Sequence, residues 1–296
     1  MEVCSASGEV RDMEESVSQL IDLALNEDIG SGDVTSEYFV PQERRSRAFL
    51  NAREEGVVAG TEVAAEVFRR VDPETKVKIL LRDGARIFPG ALIMEIEGSS
   101  RSVLTAERVA LNFMQRLSGV ATLTSRFVAL VSGTTAKVLD TRKTTPGWRL
   151  LEKEAVLAGG GTNHRMGLYD RAMVKDNHLV AEGKLAFLQQ AIARLKEEKP
   201  GVEVELEADN LSQVESFLGL EGVDHILLDN MTLDELRQAI EMRKGKQPWL
   251  EASGGVNLTT IAEIAKTGVD FVSVGAVTHS AVGLDLGLDF AEENED

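Results

Sequence analysis

Apolar residues recur along the chain at two spacings, and each spacing predicts a different kind of element. In residues 14–26 the apolar side chains stand three and four positions apart, which predicts an amphipathic helix. The same spacing returns at 61–71, so a second helix is expected there. Strand-like runs lie at 46–52, 57–59, 76–81 and 91–96. The first part of the chain is therefore predicted to be an α+β domain.

A long helical stretch follows, from residue 105 to about 131, and is expected to connect two domains. Arg108, Asn112 and Arg116 repeat along it at intervals of four, and Ser118-Gly119 is expected to interrupt it. Beyond it, short apolar runs alternate with helical segments, a pattern that predicts a parallel α/β sheet. The runs lie at 137–139, 172–174, 202–206, 225–228, 249–252 and 271–274.

Polar or glycine residues follow each of these runs. This favours a barrel over an open sheet, because (β/α) barrels place their chemistry at the carboxyl ends of the strands. Six runs within 137–274 are fewer than a complete barrel of roughly 250 residues would need, so a reduced barrel is expected. The residues that follow the runs are 140–143, 175–178, Glu207, Asp229-Asn230, 253–255 and 275–276.

Composition argues against several classes of protein. The 296 residues are 43% hydrophobic, enough for a large core, and no apolar run reaches the roughly 18 to 20 residues needed to cross a bilayer. The 49 acidic and 32 basic residues give a net charge of −17, which disfavours nucleic acid as a partner. With one cysteine, Cys4, and no apolar signal segment at the N-terminus, a cytoplasmic location is expected and no membrane partner.

A local excess of positive charge stands against this acidic background. Between 140 and 178 the chain carries seven lysines and arginines and five acidic residues. Cations gathered among turns and glycines predict a site for a small anion. Lys153 and Arg171 are expected instead in salt bridges on the surface. The cations expected in the site are Arg142, Lys143, Arg165 and Lys175.

Acidic residues supply the opposite charge. Along 202–207 strict alternation puts Glu203, Glu205 and Glu207 on one face of the strand. In a barrel that face points inward and needs cations, metal or water to offset desolvation. Glu207 lies nearest the carboxyl end, and Asp229 ends the next strand, either as a metal ligand or as the cap of the following helix.

These features together indicate a chemistry. Carboxylate ligands without a Cys/His cluster favour Mg²⁺ over zinc. The glycines at 253–255 and 275 suit backbone amides that cradle a phosphate. The residues alone therefore predict a Mg²⁺-assisted enzyme that acts on a phosphorylated, carboxylate-bearing substrate.

Several segments resemble the quinolinate phosphoribosyltransferases, a family that makes nicotinic acid mononucleotide during NAD synthesis. The resemblance covers essentially everything after the first dozen residues, and Thr-Arg-Lys-Thr-Thr-Pro-Gly and Asn-His-Arg are its most specific parts. The similar segments are 27–35, 105–122, 140–147, 159–170, 175–178, 228–230, 251–255 and 274–276.

The fold that this resemblance implies is α/β, with an N-terminal α+β sandwich domain plus an incomplete (β/α) barrel. The family works as a homodimer or as a hexamer of such dimers, so a second copy of the chain is an expected partner. The expected organisation is a flexible tail at 1–12, the sandwich at 13–118, the barrel at 119–275 and a segment at 276–296 that returns toward the first domain.

The resemblance also implies a binding site for quinolinate. One arginine of this set would reach in from a neighbouring subunit, and that residue is Arg108. The residues that would contact quinolinate are Arg108, Thr141, Arg142, His164, Arg165 and Lys175.

Phosphoribosyl pyrophosphate (PRPP) and its Mg²⁺ would occupy the other part of the site. Lys143 and Lys175 would hold the phosphates, and Glu207 and Asp229 the metal; these four are also the expected catalytic residues. Glu205 shares a strand face with Glu207, so the choice between these two glutamates stays open. The phosphate would be bound by the backbone of Ser253, Gly254, Gly255, Val274, Gly275 and Ala276.

The implied reaction is attack of the pyridine nitrogen on C1 of the ribose, departure of pyrophosphate and loss of a carboxylate as CO₂. Three alternatives stay open: a paralogous family associated with molybdenum uptake genes, a nicotinate-specific relative without decarboxylation, and a metabolite sensor without turnover. The paired cations Arg142 and Arg165, with His164, favour a dicarboxylate over nicotinate. A phosphate-binding barrel isomerase would explain Gly255 and Gly275 but not the two specific segments.

Overall fold

The computed structural model describes residues 6–175 and 184–291, which divide into two compact units. The first unit contains residues 6–123, 145–160 and 281–291, and the second contains 124–144, 161–175 and 184–280. Residues 176–178 of the segment that begins at Lys175 lie outside the described part. No helix in the described ranges is long and apolar enough to cross a membrane.

Most helices and strands follow each other in the order that the spacing of apolar residues predicts, but the helix at 34–39 and the strand at 286–290 were not predicted. In chain order they are α1 (Ala6–Ile29), α2 (Val34–Phe39), β1 (Arg45–Ala52), β2 (Gly56–Val57), α3 (Thr61–Val71), β3 (Lys76–Ile79), β4 (Arg86–Ile87), β5 (Leu92–Ser99), α4 (Ser100–Leu130), β6 (Lys137–Leu139), α5 (Arg149–Ala158), β7 (Arg171–Val174), α6 (Lys184–Glu198), β8 (Glu203–Ala208), α7 (Leu211–Leu218), β9 (His225–Asp229), α8 (Leu233–Met242), β10 (Trp249–Ser253), α9 (Ile261–Ala265), β11 (Phe271–Ser273), α10 (Ala276–His279) and β12 (Leu286–Phe290).

The first unit is an α+β domain built on a four-stranded antiparallel sheet. Its strand order is β12-β1-β5-β3, so β12, near the C-terminus, pairs with β1. Alternate residues of β1, at Ala48, Leu50 and Ala52, are buried, as are Val67 and Phe68 on the apolar face of α3. The predicted α+β domain is therefore confirmed.

The second unit is a six-stranded parallel sheet with the strand order β6-β11-β10-β9-β8-β7. Helices alternate with most of its strands, and Leu206, Ile226, Leu250 and Val272 are fully buried, as expected for parallel strands covered on both faces. Within the described residues the end strands β6 and β7 are not paired with each other. The prediction of an incomplete (β/α) barrel agrees with this sheet.

The N-terminal boundary differs from the prediction of a flexible tail at 1–12. Helix α1 already begins at Ala6, so residues 6–12 are helical where a tail was expected. Alanine, glutamate and arginine in this stretch are good helix formers, and they extend the amphipathic helix by two turns. The first five residues lie outside the described part.

The predicted interruption of the long helix is also wrong, because α4 continues through Ser118-Gly119. A Cβ at Gly119 would lie 2.1 Å from the backbone oxygen of Val282. The Ser118 hydroxyl accepts a hydrogen bond from the Ala59 backbone N–H at 3.0 Å. These small residues therefore allow other segments of the first unit to approach the helix closely, rather than ending it.

Domain boundaries shift for a related reason. The units divide at 123/124 and 280/281, not at the expected 118/119 and 275/276, and residues 145–160 belong to the first unit instead of the barrel. Helix α5 is held there by a salt bridge of 2.6 Å between Arg116 and the buried Glu152. The indole ring of Trp148 stacks on Phe113 with ring centroids 4.7 Å apart. Neither contact could be inferred from the alternation of strands and helices.

Replacement of Gly119 by alanine tests the close approach to Val282. The added methyl group forces the backbones apart, so we expect Gly119→Ala to lower the free energy of unfolding by about 1–3 kcal/mol in urea denaturation. Gly201→Ala is the matched control, because the Cβ at Gly201 would have nothing within 4 Å and φ is not positive there. Equal stability of the two variants would contradict the packing argument.

Candidate active site

A cavity of about 530 Å³ opens at the carboxyl ends of the parallel strands in the second unit. We call it the strand-end pocket. Each of the six strands contributes a residue from its end or from the loop that follows, as expected for a (β/α) barrel. The lining residues are Thr141, Arg142, Lys143, His164, Arg165, Met173, Lys175, Glu207, Leu227, Asp229, Asn230, Glu251, Ser253, Gly254, Gly255, Ser273 and Gly275.

The four cations predicted for an anion site all line this pocket: Arg142, Lys143, Arg165 and Lys175. Burial, followed by the charge of Arg142, lowers the pKa of Arg165. Like charges are thus held close together before a ligand arrives. An anion that binds between them relieves this repulsion, which makes the pocket suited to a carboxylate or a phosphate.

The loop that carries two of these cations is held by backbone contacts. The Thr141 hydroxyl accepts the Lys143 backbone N–H at 3.1 Å, and the Thr278 hydroxyl donates to the Lys143 carbonyl at 2.8 Å. Lys175, just after β7, contacts the carboxylate of Glu207. The second part of the Lys175 motif, at 176–178, is not described.

A glycine turn forms another wall of the pocket. Gly254 has φ = +96°, and a Cβ there would lie 2.1 Å from the side-chain oxygen of Asn230. Ser253, Gly255 and Gly275 lie in the same wall. Glycine is therefore required at Gly254 both by backbone conformation and by the close approach of the neighbouring strand end.

Two of the six residues predicted to bind phosphate are not in this wall. Val274 is buried and Ala276 is not among the lining residues. The Val274 backbone N–H donates to the Leu139 carbonyl at 2.9 Å, which joins β11 to β6. Its assignment as a phosphate ligand is therefore wrong, because the sheet already uses its amide.

Acidic side chains face the cations across the pocket. Carboxylate oxygens of Glu207, Asp209 and Asp229 lie within 4.8 Å of one another. The pair Glu207 and Asp229 was predicted, whereas Asp209 was missed although it follows Glu207 by two residues in the chain. Asp229 does not cap the next helix, because Thr232 caps α8 in a capping box with Glu235.

The structure separates the two glutamates that the sequence left as alternatives. Glu207 lines the pocket with its side chain 12% exposed. Glu205 is completely buried below it and is not among the lining residues. A period of two along β8 places both on the inner face but at different depths. Glu207 is thus the one that a ligand in the pocket can reach.

A buried group, here named the floor cluster, lies beneath the pocket and consists of His164, Glu205, Glu251 and Ser273. His164 Nε2 lies 3.2 Å from Glu205 Oε2 and 3.5 Å from Glu251 Oε2. The Ser273 hydroxyl donates to Glu251. Sequence analysis missed Glu251 and Ser273, although the alternation seen on β8 would also have placed Glu251 on the inner face of β10.

Protons in the floor cluster are shared among its members. Burial opposes a charge on His164, but hydrogen bonds and charges from Glu205 and Glu251 raise its pKa to about 9. Burial, followed by the charge of Glu205, raises the pKa of Glu251. Both shifts mean that the cluster keeps an extra proton at neutral pH. The Arg165 backbone N–H donates to His164 Nδ1 at 2.7 Å, so in the neutral ring the proton lies on Nε2, which faces the two carboxylates.

Two predicted positions need correction, and a third agrees with its prediction. Lys153 is buried in α5 rather than exposed. Arg171 forms the expected salt bridge, at 2.6 Å, with the half-exposed Glu203. Arg108 is an exposed residue of α4 in the first unit, and its predicted role in the site of a neighbouring copy stays a prediction. His164 lines the pocket, but both of its ring nitrogens face protein groups, so its prediction as a direct ligand of quinolinate does not fit this geometry.

Known proteins resemble both units. The family described as quinolinate phosphoribosyl transferase, C-terminal domain, matches residues 120–289, and its N-terminal domain matches 33–118. The chain is 42% identical over 271 residues to nicotinate-nucleotide pyrophosphorylase (carboxylating) of Mycobacterium leprae, covering 90% of this chain and 94% of the relative. The chloroplastic enzyme of the same name from Arabidopsis thaliana is 41% identical over 285 residues, with 91% and 81% covered.

Solved structures agree with these sequence matches. The nicotinate-nucleotide pyrophosphorylase of Francisella tularensis superposes with a TM-score of 0.86 at 38% identity, over 94% of this chain and 96% of that chain. Both the order of elements and the identity of the domains are therefore shared with proteins of one family.

The retained proton of the floor cluster makes stability depend on pH. A group whose pKa rises from 6.5 to about 9 on folding stabilises the protein below pH 6.5, and this contribution is lost as the pH rises through 9. Between pH 7 and 9 the free energy of unfolding should fall by about 2 kcal/mol from this source. Urea denaturation at both pH values measures it, with Glu251→Gln as the comparison. An equal fall in the two proteins would contradict the assignment.

Proposed function

Since the chain belongs to the quinolinate phosphoribosyltransferase family, we propose that its strand-end pocket carries out the reaction of that family with the residues assigned below. The enzyme transfers the phosphoribosyl group of PRPP to the ring nitrogen of quinolinate. It releases pyrophosphate and CO₂ and gives nicotinic acid mononucleotide for NAD synthesis. The observation that carries the assignment is one pocket in which four cations face a group of carboxylates and a glycine turn.

Quinolinate is assigned to the cationic wall. Arg142 and Arg165 present planar guanidinium groups that can each bind a carboxylate through two parallel hydrogen bonds. Two such clamps fix the ring in plane and leave its nitrogen in a defined position near the ribose carbon. Thr141 and Lys175 lie beside them in the same lining. A dicarboxylate uses this wall better than nicotinate, which has one carboxylate.

PRPP is assigned to the opposite wall. The backbone at Ser253, Gly254, Gly255 and Gly275 offers a glycine-rich surface that a phosphate can approach without side-chain hindrance. Lys143 and Lys175 stand where they can neutralise the pyrophosphate as its charge develops. The catalytic role proposed for the two lysines is therefore electrostatic.

The carboxylate group fits Mg²⁺. Glu207 and Asp229 offer hard oxygen ligands, Asp209 adds a third within the same 4.8 Å, and this ion prefers a few carboxylates with water and substrate phosphates completing its shell. Glu207 and Asp229 would hold the ion, which would supply charge neutralisation at the pyrophosphate when bound. Lys175 contacts Glu207 in the structure. When substrate and metal bind, Lys175 would contact the substrate and Glu207 the metal.

The chain's own residues account for the remaining steps. Arg142 and Arg165 orient the nitrogen lone pair so that it forms the bond to C1 of the ribose while the bond from C1 to pyrophosphate breaks. The ring nitrogen then carries a positive charge. Loss of the adjacent carboxylate as CO₂ leaves an electron pair on carbon that this charge stabilises, and a proton from solvent completes the product. No covalent enzyme intermediate is needed.

The same proposal includes the assembly and location of the protein. We expect a homodimer, alone or as the unit of a hexamer, in which the exposed Arg108 of one copy completes the quinolinate site of another. A cytoplasmic location suits a chain with one cysteine. Its net charge of −17 disfavours nucleic acid, and we expect no membrane partner.

A product assay tests the function. Purified protein with quinolinate, PRPP and Mg²⁺ should form nicotinic acid mononucleotide and CO₂ in equal amounts, and a chelator should abolish turnover. Arg142→Lys should lower kcat/KM for quinolinate by roughly 10- to 100-fold, because a lysine cannot form the two parallel hydrogen bonds. Arg194→Lys, on the exposed surface of α6, is the control. Turnover of nicotinate but not quinolinate would overturn the assignment.

Mixing two inactive variants tests the shared site. Arg108→Ala removes the residue expected from the neighbouring copy, and Lys143→Ala removes one from the pocket itself. After subunit exchange, random pairing should restore about a quarter of the activity, because half of the dimers contain one intact site of two. No recovery in mixtures shown to have exchanged subunits would place Arg108 outside the site of the partner.

A further inference from the structure

The floor cluster has no role in the reaction as assigned above. His164, Glu251 and Ser273 form the base of the strand-end pocket, and Glu205 lies deeper. Neither Glu205 nor Glu251 has any exposed surface. Carboxylates are rarely placed so deep unless a specific arrangement of partners needs them.

The cluster also lowers the stability of the fold, because some of its buried oxygens lack hydrogen bonds from the part of the chain that the structure describes. Both side-chain oxygens of Glu205 and one of Glu251 receive no hydrogen bond from residues 6–175 or 184–291. They are met instead by ionic neighbours: His164, and Arg171 with its Nη1 atom 3.6 Å from Glu205. A buried acceptor without a hydrogen bond costs about 1–3 kcal/mol, so a fold that keeps three of them requires an explanation.

The ring of His164 has a defined orientation and proton. Its Nδ1 accepts the backbone N–H of Arg165 at 2.7 Å, so the ring proton lies on Nε2. Nε2 lies between the carboxylates of Glu205 and Glu251, at ion-pair distances of 3.2 and 3.5 Å from their oxygens. The two carboxylates therefore select the tautomer that leaves Nδ1 able to accept the amide.

The same tautomer argues against a metal ion at this place. His164, Glu205 and Glu251 bring three potential ligand atoms within 4.8 Å of one another. A nitrogen that carries a proton cannot coordinate a metal, and Nε2 is the one that faces the carboxylates. The cluster is thus arranged around a proton rather than around a cation.

The contact with the amide determines the path of Arg165. The backbone is also fixed one residue earlier, where the His164 N–H donates to the buried Asp140 at 2.7 Å. At the far end of the side chain, Arg165 donates to the Arg171 carbonyl at 3.1 Å. The other terminal nitrogen donates to Met173 Sδ at 3.5 Å. The guanidinium is therefore held both at its backbone and at its far end, where it lines the pocket.

We propose that Glu205 and Glu251 are positioning residues: they hold the His164 ring, which fixes the backbone of Arg165 and so places its guanidinium for a substrate carboxylate. His164 is then a positioning residue as well, rather than a direct ligand. This inference rests on the proposed function, because it takes Arg165 as a ligand of quinolinate.

Two replacements of His164 distinguish its nitrogens. In His164→Asn the side-chain oxygen can take the place of Nδ1 and accept the backbone N–H of Arg165. In His164→Gln the side-chain carboxamide extends to the place of Nε2, so nothing accepts the backbone N–H of Arg165. We expect the KM for quinolinate to rise by no more than about threefold in His164→Asn and by roughly tenfold or more in His164→Gln. The KM for PRPP should stay within about twofold in both.

Glu251→Gln tests the carboxylate directly while keeping its shape. Loss of the charge that holds Nε2–H should raise the KM for quinolinate by roughly three- to tenfold, with the KM for PRPP unchanged and kcat within about threefold. Glu215→Gln is the matched control, because Glu215 is an exposed residue of α7 that does not line the pocket, and its kinetics should match the wild type. Circular dichroism establishes that each variant is folded.

The possible results separate this inference from the proposed function. A wild-type protein that does not use quinolinate would refute the proposed function itself. An active wild type with His164→Gln less impaired than His164→Asn, or with Glu251→Gln unchanged in KM, would overturn only the positioning role. One equivalent of a tightly bound metal in the purified protein, lost in Glu251→Gln, would likewise overturn it and make the cluster a metal centre.

Discussion

The burial of negative charge on the inner face of the parallel sheet is the constraint on which the second unit depends. Strand β8 carries a glutamate at every second position. Glu203, at the start of the strand, is half exposed, whereas Glu205 and Glu207 lie where water is largely excluded and need positive partners. Glu203 is met by Arg171, Glu205 by His164 and Glu207 by Lys175. The interior is therefore stabilised by alternating charges and not by branched apolar residues alone, as is usual in complete barrels.

The balance between positive and negative side chains differs between the floor and the mouth of the pocket. At the floor, the carboxylates are met by ionic contacts within the protein, and the pKa values of His164 and Glu251 are both raised. At the mouth, the cations exceed what the protein's own carboxylates can neutralise, and the pKa of Arg165 is lowered by burial and by Arg142. A ligand with several negative charges completes the pattern at the level where the strands end. Structural and catalytic electrostatics are thus parts of one network.

The alternation of apolar and polar residues along the chain was enough to predict many of the elements and many of the charged residues of the pocket. The order of strands, the identity of the four pocket cations and the acidic face of β8 all follow from residue type and period. Other positions could not be inferred in this way. Gly119 was interpreted as a helix break, and Lys153 as a surface residue, because their neighbours in space come from distant parts of the sequence. Val274 was assigned to phosphate although its amide joins two strands.

The sequence by itself determined which elements form and which chemistry they carry, because helix and strand periods and the charge of side chains are local properties. Only the tertiary structure decided how deeply each side chain is buried and which groups it faces. It placed Glu207 in the pocket and Glu205 below it, added Asp209 and Glu251 to the site, and turned both nitrogens of His164 toward protein groups. The reason is physical: desolvation and hydrogen-bond geometry depend on how strands and loops pack against each other, which residue spacing alone does not specify.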